Sequence, residues 1–263
     1  MKNAVLTIAG SDSSGGAGIQ ADLKAMSANG VFGMSVLTSI TAQNTCGVSA
    51  VFHLPASIIE AQLEAIFSDI PVAVVKTGML ATSDIVATVS RRLSQQNLDH
   101  LVVDPVMVAK GGHPLLEQEA IAIVKAELLP QTSLLTPNIY EAEILSGISI
   151  QTLADARVAA KAIYGLGCKH VLIKGGHLTE QPGTDLLYDG RFFRMYKGEF
   201  IQTSTTHGTG CTFASAIAAH LAKGKTIPDA IEAAKHYTTE AIRHGLALGK
   251  GHGPTDHFYF LQS

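Results

Sequence analysis

The sequence predicts an α/β protein in which helices cover both faces of a central, mostly parallel sheet. Short apolar, β-branched runs alternate with amphipathic helical stretches along most of the 263-residue chain. Apolar runs of this kind are typical of strands that are buried on both faces. A series of strand, helix and strand requires right-handed crossovers, which put helices on both sides of the sheet. Because no linker, repeat or low-complexity segment interrupts the series, we expect a single domain over residues 1–263.

The individual elements follow from these runs in chain order. The predicted strands are Val5–Ile8, Val36–Ile40, Val72–Lys76, Leu101–Val103, Leu134–Thr136 and Val171–Lys174. Two of the intervening stretches have apolar residues at helical spacing, one from Ile58 to Phe67 and one from Ile85 to Leu93. The dipeptide Asp189-Gly190, between two further short strands, predicts a tight hairpin near the edge of the sheet.

Composition excludes several classes of protein. A net charge of -3 leaves no basic face, which argues against nucleic acid and anionic membranes as partners. No apolar run approaches the length of a membrane span, and the N-terminus leads into a strand rather than a signal peptide. The three cysteines, Cys46, Cys168 and Cys211, are far apart and lack CxxC spacing. We therefore expect a cytoplasmic protein without disulfides or structural zinc.

The stretch from Thr206 to Cys211 is the most informative local motif. Its glycines, Gly208 and Gly210, flank Thr209 directly before a predicted helix, so that backbone N–H groups and the helix dipole point at one place. Such a turn suits a phosphoryl group, and the helix N-terminus favours a thiolate at Cys211. The alternative is a turn that caps a core helix, with the cysteine as filler. For His207 a hydrogen-bonding structural role is favoured over participation in chemistry.

Polar or glycine residues follow nearly every predicted strand, which predicts a binding cleft at the carboxyl ends of the strands. The cluster from Gly10 to Gly18 matches neither a P-loop nor the GxGxxG fingerprint, but its glycines allow a small substrate to approach the backbone. Asp22 lies beside the apolar stripe of the helix that follows. It is interpreted either as a solvated residue at the margin of that stripe or as a substrate ligand.

Three further residues near strand ends have two interpretations each. Asp104 is either a magnesium ligand, directly or through water, or a helix cap. Asn138 and Glu141 have the spacing of a capping box, which the local pattern favours, although the same carboxylate would lie at the rim of the cleft near metal-bound waters. Lys174 either extends to solvent or contacts a phosphate.

Six ordered segments along essentially the whole chain resemble one known family. The segments are Ala9–Asp22, Thr38–Thr45, Lys76–Leu80, Val103–Met107, Thr136–Ala142 and His207–Cys211. In them the chain is similar to the bifunctional hydroxymethylpyrimidine/phosphomethylpyrimidine kinases of thiamine synthesis, which belong to the ribokinase-like superfamily. The resemblance implies a three-layer α/β/α sandwich. It also implies ATP-dependent phosphorylation of 4-amino-5-hydroxymethyl-2-methylpyrimidine and then of its monophosphate, with Mg²⁺.

The resemblance also implies roles for single residues. Gly208, Thr209 and Gly210 match the anion hole, and Cys211 stands where sugar kinases of the superfamily have an aspartate base. Gln43 matches the residue that binds the aminopyrimidine, with Asp22, Met79, Val106 and the Gly10 segment around it. Asn138 and Glu141 match the superfamily's NxxE element near magnesium, while Asp104, Lys174 and Thr206 match positions on the phosphate and metal side. A homodimer is expected from the superfamily.

Three other functions remain open on the sequence. The first is a pyridoxal kinase on the same fold, against which Gln43 argues. The second is a non-catalytic module that senses a pyrimidine or nucleotide, and it predicts no ADP release. The third is an acyltransferase with Cys211 as nucleophile, which predicts a covalent adduct and no need for ATP. The two glycines in the segment 109–113 are compatible with a mobile flap.

Overall fold

The computed structural model describes residues 3–109, 112–176 and 182–261, which fold around a nine-stranded sheet. The strands are β1 Ala4–Asp12, β2 Phe32–Asn44, β3 Gly47–His53, β4 Val74–Thr77, β5 His100–Val103, β6 Leu134–Leu135, β7 Val171–Ile173, β8 Asp185–Tyr188 and β9 Phe193–Tyr196. Their order across the sheet is β3-β2-β1-β4-β5-β6-β7-β8-β9. The six strands from β2 to β7 in that order are parallel.

All six predicted strands are confirmed, and the structure adds one that the sequence analysis missed. Strand β3 pairs antiparallel with the end of β2 at one edge of the sheet. Its residues are mostly exposed or half-buried, so it lacks the continuous apolar run by which the other strands were found. At the opposite edge, β8 and β9 form the predicted hairpin, and Asp189 Oδ1 accepts bonds from the N–H groups of Arg191 and Phe192.

Helices cover both faces of the sheet, which confirms the three-layer α/β/α sandwich. They are α1 Gly18–Ala28, α2 Ala56–Phe67, α3 Ser83–Ser94, α4 Gln118–Ile123, α5 Ile139–Ser146, α6 Leu153–Tyr164, α7 Thr209–Ala222 and α8 Ile227–Arg243. Helices α2 to α6 pack over one face, and α1, α7 and α8 over the other. Among the described residues, no helix combines the length and apolar character that crossing a bilayer requires.

Neighbouring residues of the central strands belong to different cores. In β1, Val5 packs with α1, α7 and α8, whereas Leu6 packs with the α2–α6 layer. Val74 and Val75 in β4 divide in the same way. Since successive side chains of a strand point to opposite faces, a strand between two helical layers is apolar at most positions, with exceptions such as Thr7 and Lys76. That arrangement explains the nearly continuous apolar runs of the sequence.

Candidate active site

A cavity of about 670 Å³ lies at the carboxyl ends of the parallel strands. Its lining includes all but one of the predicted site residues, namely Gly10, Gln43, Met79, Asp104, Val106, Asn138, Glu141, Lys174, Thr206, Gly208, Thr209, Gly210 and Cys211. These residues come from segments that are far apart in the chain. The sheet brings them together because its parallel strands all end at the same edge. The missing residue is Asp22.

The anion loop, defined as Thr206 to Cys211, enters α7 through a backbone conformation that only glycine adopts readily. Gly208 is the N-cap of α7 and has a φ of 77°. A Cβ atom at Gly208 would lie 1.8 Å from the carbonyl oxygen of Gly16, and one at Gly16 would lie 2.3 Å from the His207 ring. The loop and the glycine cluster after β1 are therefore packed backbone against backbone.

Asp12, which the sequence analysis did not single out, joins these two segments. Its Oδ2 atom accepts a bond from the backbone N–H of Ala17 at 2.8 Å and contacts His207 Nε2 at the same distance. Its Oδ1 atom accepts bonds from the N–H and hydroxyl of Ser14. Burial alone would raise the pKa of Asp12, but bonds from His207 and Ser14 lower it to about 2. The hydrogen-bonding role expected of His207 is confirmed.

The Gln43 side chain is oriented at the rim of the cavity beside this bridge. Its Oε1 atom accepts a bond from the Thr41 hydroxyl at 3.0 Å, and its Nε2 atom lies 3.5 Å from His207 Nε2. A glutamine amide carries one donor group and one acceptor group, so it suits a ring edge that carries both. Met79 and Val106 supply apolar lining to the same cavity.

A lysine and two carboxylates meet where β5, β6 and β7 end. Lys174 Nζ donates to Asp104 Oδ1 at 2.6 Å, which rules out the interpretation of Lys174 as extending freely to solvent. Burial would lower the pKa of Lys174, but the charges of Asp104 and Glu141 raise it. The helix-cap interpretation of Asp104 finds no support, since its carboxylate pairs with Lys174 and accepts from the Thr136 hydroxyl.

Glu141 combines the two roles that the sequence offered as alternatives. Asn138 and Glu141 form a complete capping box at the start of α5, and the same Glu141 lines the cavity. Burial raises the pKa of Glu141 to about 7, the charge of Lys174 opposes the shift, and Asp104 adds to it. Among the described residues, no three His, Cys, Asp or Glu side chains gather into a metal-binding group.

Two expectations about charged groups are wrong. Asp22 neither lines the cavity nor lies at a solvated margin, because it is fully buried and pairs with Lys76 at 2.8 Å. For Cys211 the helix N-terminus predicts a lowered thiol pKa. Burial instead raises the pKa of Cys211 to about 12, against the opposing charge of Lys76. The local motif gave no sign of this burial, which depends on segments distant in sequence.

The far end of the cavity is lined by residues that the sequence analysis missed. They include Asp185, Phe200, Lys235, Thr238 and Ile242. Lys235 Nζ donates to Asp185 Oδ2 at 2.6 Å. Asp185 begins β8, Phe200 lies in the segment after β9, and the other three are on α8, none of them within a motif that the sequence shows. In the predicted flap, Ala109 donates to the His113 carbonyl, while Lys110 and Gly111 lie outside the described residues.

Comparisons with known proteins give the family and the fold of the chain. The family model described as phosphomethylpyrimidine kinase matches residues 12–256. The chain is 47% identical to a hydroxymethylpyrimidine/phosphomethylpyrimidine kinase of Bacillus subtilis, over 98% of this chain and 96% of that protein. It is 50% identical to the thiamine biosynthesis bifunctional protein ThiED of Geobacter sulfurreducens, over 97% of this chain but only 52% of that protein. The chain thus spans about half the length of that bifunctional relative.

Two solved structures have the same fold. An ADP complex of Bacillus subtilis pyridoxal kinase superposes with a TM-score of 0.92 at 41% identity, and all of both chains is covered. Phosphomethylpyrimidine kinase from Clostridium difficile superposes with a TM-score of 0.83 at 48% identity, over 92% of this chain and 100% of that one. The fold is therefore that of the ribokinase-like kinases, as the six sequence segments implied. On the match over residues 12–256, the chain belongs to the phosphomethylpyrimidine kinase family.

Proposed function

We propose that the protein transfers a phosphoryl group from ATP to 4-amino-5-hydroxymethyl-2-methylpyrimidine and then to the monophosphate so formed. The observation that carries the proposal is that the anion loop and Gln43 line the same cavity. One feature suits a phosphoryl group and the other suits an aminopyrimidine edge. The 47% identical relative from Bacillus subtilis is named for both phosphorylations, and the Clostridium difficile structure is named for the second. The three separated cysteines, all of them free, support the further proposal of a cytoplasmic location.

In the proposed reaction, the acceptor oxygen attacks the γ-phosphorus of ATP while the bond to the β-phosphate oxygen breaks. The N–H groups of Gly208, Thr209 and Gly210 stabilise charge on the migrating phosphoryl group. Transfer passes through a loose transition state, so the hydroxyl loses its proton late and a base of modest strength suffices. The thiolate form of Cys211, the third residue of α7, accepts that proton in the first turnover and becomes a thiol. Lys174 offers its ammonium to the phosphates from the pair with Asp104.

The donor set fits magnesium held mainly by phosphates and water. Mg²⁺ keeps several waters and usually binds proteins through one or two carboxylates. Glu141 and Asp104 are two such carboxylates, both buried at the cavity, with Asn138 fixing Glu141 through the capping box. When bound, the ion neutralises charge on the phosphates. We assign Glu141 to ordering its water ligands and Asp104 to holding it directly or through water.

The apparent affinity for Mg²⁺ is expected to fall about tenfold from pH 8 to pH 6, measured as the Mg²⁺ dependence of ADP release at saturating ATP. The pKa of Glu141 is raised to about 7, so its carboxyl is protonated below that pH and ionised above it. A metal ion competes with the proton for the ionised form, and binding therefore weakens as the pH falls. The variant Glu141→Gln preserves the capping box but should have low affinity at both pH values. An unchanged pH dependence in that variant would contradict the assignment.

Pyridoxal phosphorylation is the second candidate function. It is favoured by the close superposition on the Bacillus pyridoxal kinase, which covers both chains completely. Against it stands the oriented amide of Gln43, which matches the paired donor and acceptor of an aminopyrimidine. An unpaired amide against the wrong ring costs about 1–3 kcal/mol.

A kinase assay on both alcohols tests the proposal. We expect the wild-type protein with ATP and Mg²⁺ to phosphorylate the hydroxymethylpyrimidine with a higher kcat/KM than pyridoxal. In Gln43→Met, kcat/KM for the pyrimidine should fall about 5- to 150-fold, with little change in the Kd of ATP. No ADP release with the pyrimidine would refute the proposed function and favour a sensing module. Equal losses for pyrimidine and ATP would place Gln43 outside the substrate pocket.

A further inference from the structure

The ion pair of Lys76 and Asp22 lies behind the cavity, and the chemistry proposed above makes no use of it. Both side chains are fully buried, with Lys76 Nζ at 2.8 and 2.9 Å from the two carboxylate oxygens. Removing two charges from water is expensive, and well-packed apolar residues often serve stability equally well. A pair of this kind beside a reaction centre therefore calls for a functional reason.

Asp22 uses its carboxylate to hold Lys76 in place. Its Oδ2 atom accepts a bond from the Thr7 hydroxyl at 2.6 Å, and its Oδ1 atom accepts one from the Ser215 hydroxyl at 2.7 Å. With the two bonds from Lys76, four hydrogen bonds from three donor groups converge on the two oxygens. The carboxylate is thus tied to β1, β4 and α7 at once, and it is saturated without any substrate.

The ammonium of Lys76 lies directly beneath the cavity wall. A Cβ atom at Gly78, which lines the cavity, would be 2.9 Å from Lys76 Nζ. Ser215 lies one helical turn after Cys211 in α7, so the two side chains share a face of that helix. The face that contacts the ion pair is therefore the face from which the thiol projects.

The charges around the thiol support the same arrangement. The charge of Lys76 lowers the pKa of Cys211 against the effect of burial, while Asp22 and Asp104 raise it. Burial alone would lower the pKa of Lys76. The negative charges of Asp22 and, to a smaller extent, Cys211 raise it instead. These three groups face Cys211 from α1, β4 and the end of β5, and a fourth, Lys174 after β7, also interacts with the charge of Cys211.

We propose that Lys76 is a positioning residue for phosphoryl transfer, whose ammonium, held by Asp22, supplies a buried positive charge that stabilises the thiolate of Cys211. The inference rests on the proposed function in one respect, namely that Cys211 accepts the proton of the substrate hydroxyl. That proton moves from the substrate hydroxyl to Sγ as the oxygen bonds to phosphorus, and the ammonium keeps all three of its own protons. Asp22 acts on Cys211 indirectly. It orients Lys76, and its negative charge partly cancels the stabilisation of the thiolate by the ammonium.

Alkylation of Cys211 by iodoacetamide measures this charge effect without ATP or substrate. The rate follows the thiolate fraction, and Cys211 lines the cavity, where a small reagent reaches it. All variants carry Cys46→Ser to remove the exposed thiol. Mass spectrometry of the modified peptide assigns the rate to Cys211. Cys168 is buried, and burial raises its pKa to about 12, so its peptide serves as the internal reference.

Two substitutions are expected to act in opposite directions. Lys76→Met should slow alkylation at least about tenfold at fixed pH, equivalent to a rise of one unit in the thiol pKa. Asp22→Asn removes a negative charge that raises the pKa of Cys211 and should accelerate alkylation. In Lys76→Met the pH–kcat profile should also move to higher pH. Lys235→Met, which removes the lysine of another ion pair in the same cavity, should leave the alkylation rate unchanged.

The opposite signs separate an electrostatic role from a structural one. If both substitutions slow alkylation, or if neither changes it, the proposal is overturned. Should Lys76→Met fail to fold, the double variant Lys76→Met/Asp22→Asn replaces it, and it must react more slowly than Asp22→Asn alone. Opposite shifts in alkylation without any kinase activity would refute the proposed function while supporting the charge arrangement.

Discussion

Replacing Cys211 with alanine is expected to lower kcat for the hydroxymethylpyrimidine by about 10²-fold or more, the usual contribution of a positioned acid–base group. The thiol lines the cavity at the third position of α7, directly after the glycines of the anion loop. Alanine removes the proton acceptor but leaves the backbone N–H groups in place. The Kd of ATP should therefore change little, and steady-state kinetics with a separate nucleotide-binding measurement tests both expectations.

The control for this variant is Cys46→Ala, because Cys46 is an exposed free cysteine. It should retain wild-type turnover. Unchanged kcat in Cys211→Ala would show that another group takes the proton. An acyltransferase with a cysteine nucleophile makes a different prediction, namely a covalent adduct on Cys211 in the mass spectrum and turnover without ATP. Such an adduct would show that Cys211 acts as a nucleophile and not as a base.

Replacing Gly208 with alanine is expected to lower kcat by about 10²- to 10³-fold, the range found when an oxyanion-hole donor is lost. The new Cβ atom would lie 1.8 Å from the Gly16 carbonyl oxygen, so the anion loop has to move away from the glycine cluster after β1. The N–H groups that stabilise the phosphoryl charge would then miss their target. The left-handed φ of 77° adds a backbone cost of about 1–2 kcal/mol, which should also lower Tm.

Gly224→Ala separates these two effects. Gly224 follows the C-terminus of the same helix and has a φ of 82°, but a Cβ atom there would meet nothing within 4 Å. This variant should share the loss in Tm and retain wild-type kcat. If the two variants lose turnover equally, backbone strain in α7 rather than displacement of the anion loop explains the result.

Much of the scaffold was predictable because its signals are local. The six parallel strands are recognisable in the sequence as apolar runs, because each strand is covered by helices on both faces. The capping box of Asn138 and Glu141 is a short-range pattern that formed as its spacing predicted. Strand β3 gave no such signal, because an exposed edge strand is free to carry polar residues.

The electrostatics of the site were not predictable in the same way. Asp22 has its partner Lys76 far along the chain, and nothing near either residue reveals that the two meet in the interior. Likewise, the helix N-terminus is visible in the sequence around Cys211, whereas the burial that dominates its pKa is not. Asp12 is a third case, since its contact with His207 joins residues 195 positions apart.

The division of β1 and β4 between two cores has a consequence for how such a protein diversifies. Val5, Leu6, Val74 and Val75 belong to the two cores, while Gln43, Met79 and Val106 line the cavity at or after the ends of their strands and belong to neither core. Substitutions among the second set alter the choice of acceptor at little expense to folding. A lineage can thereby acquire a different acceptor through a handful of changes at the rim, with its interior inherited intact.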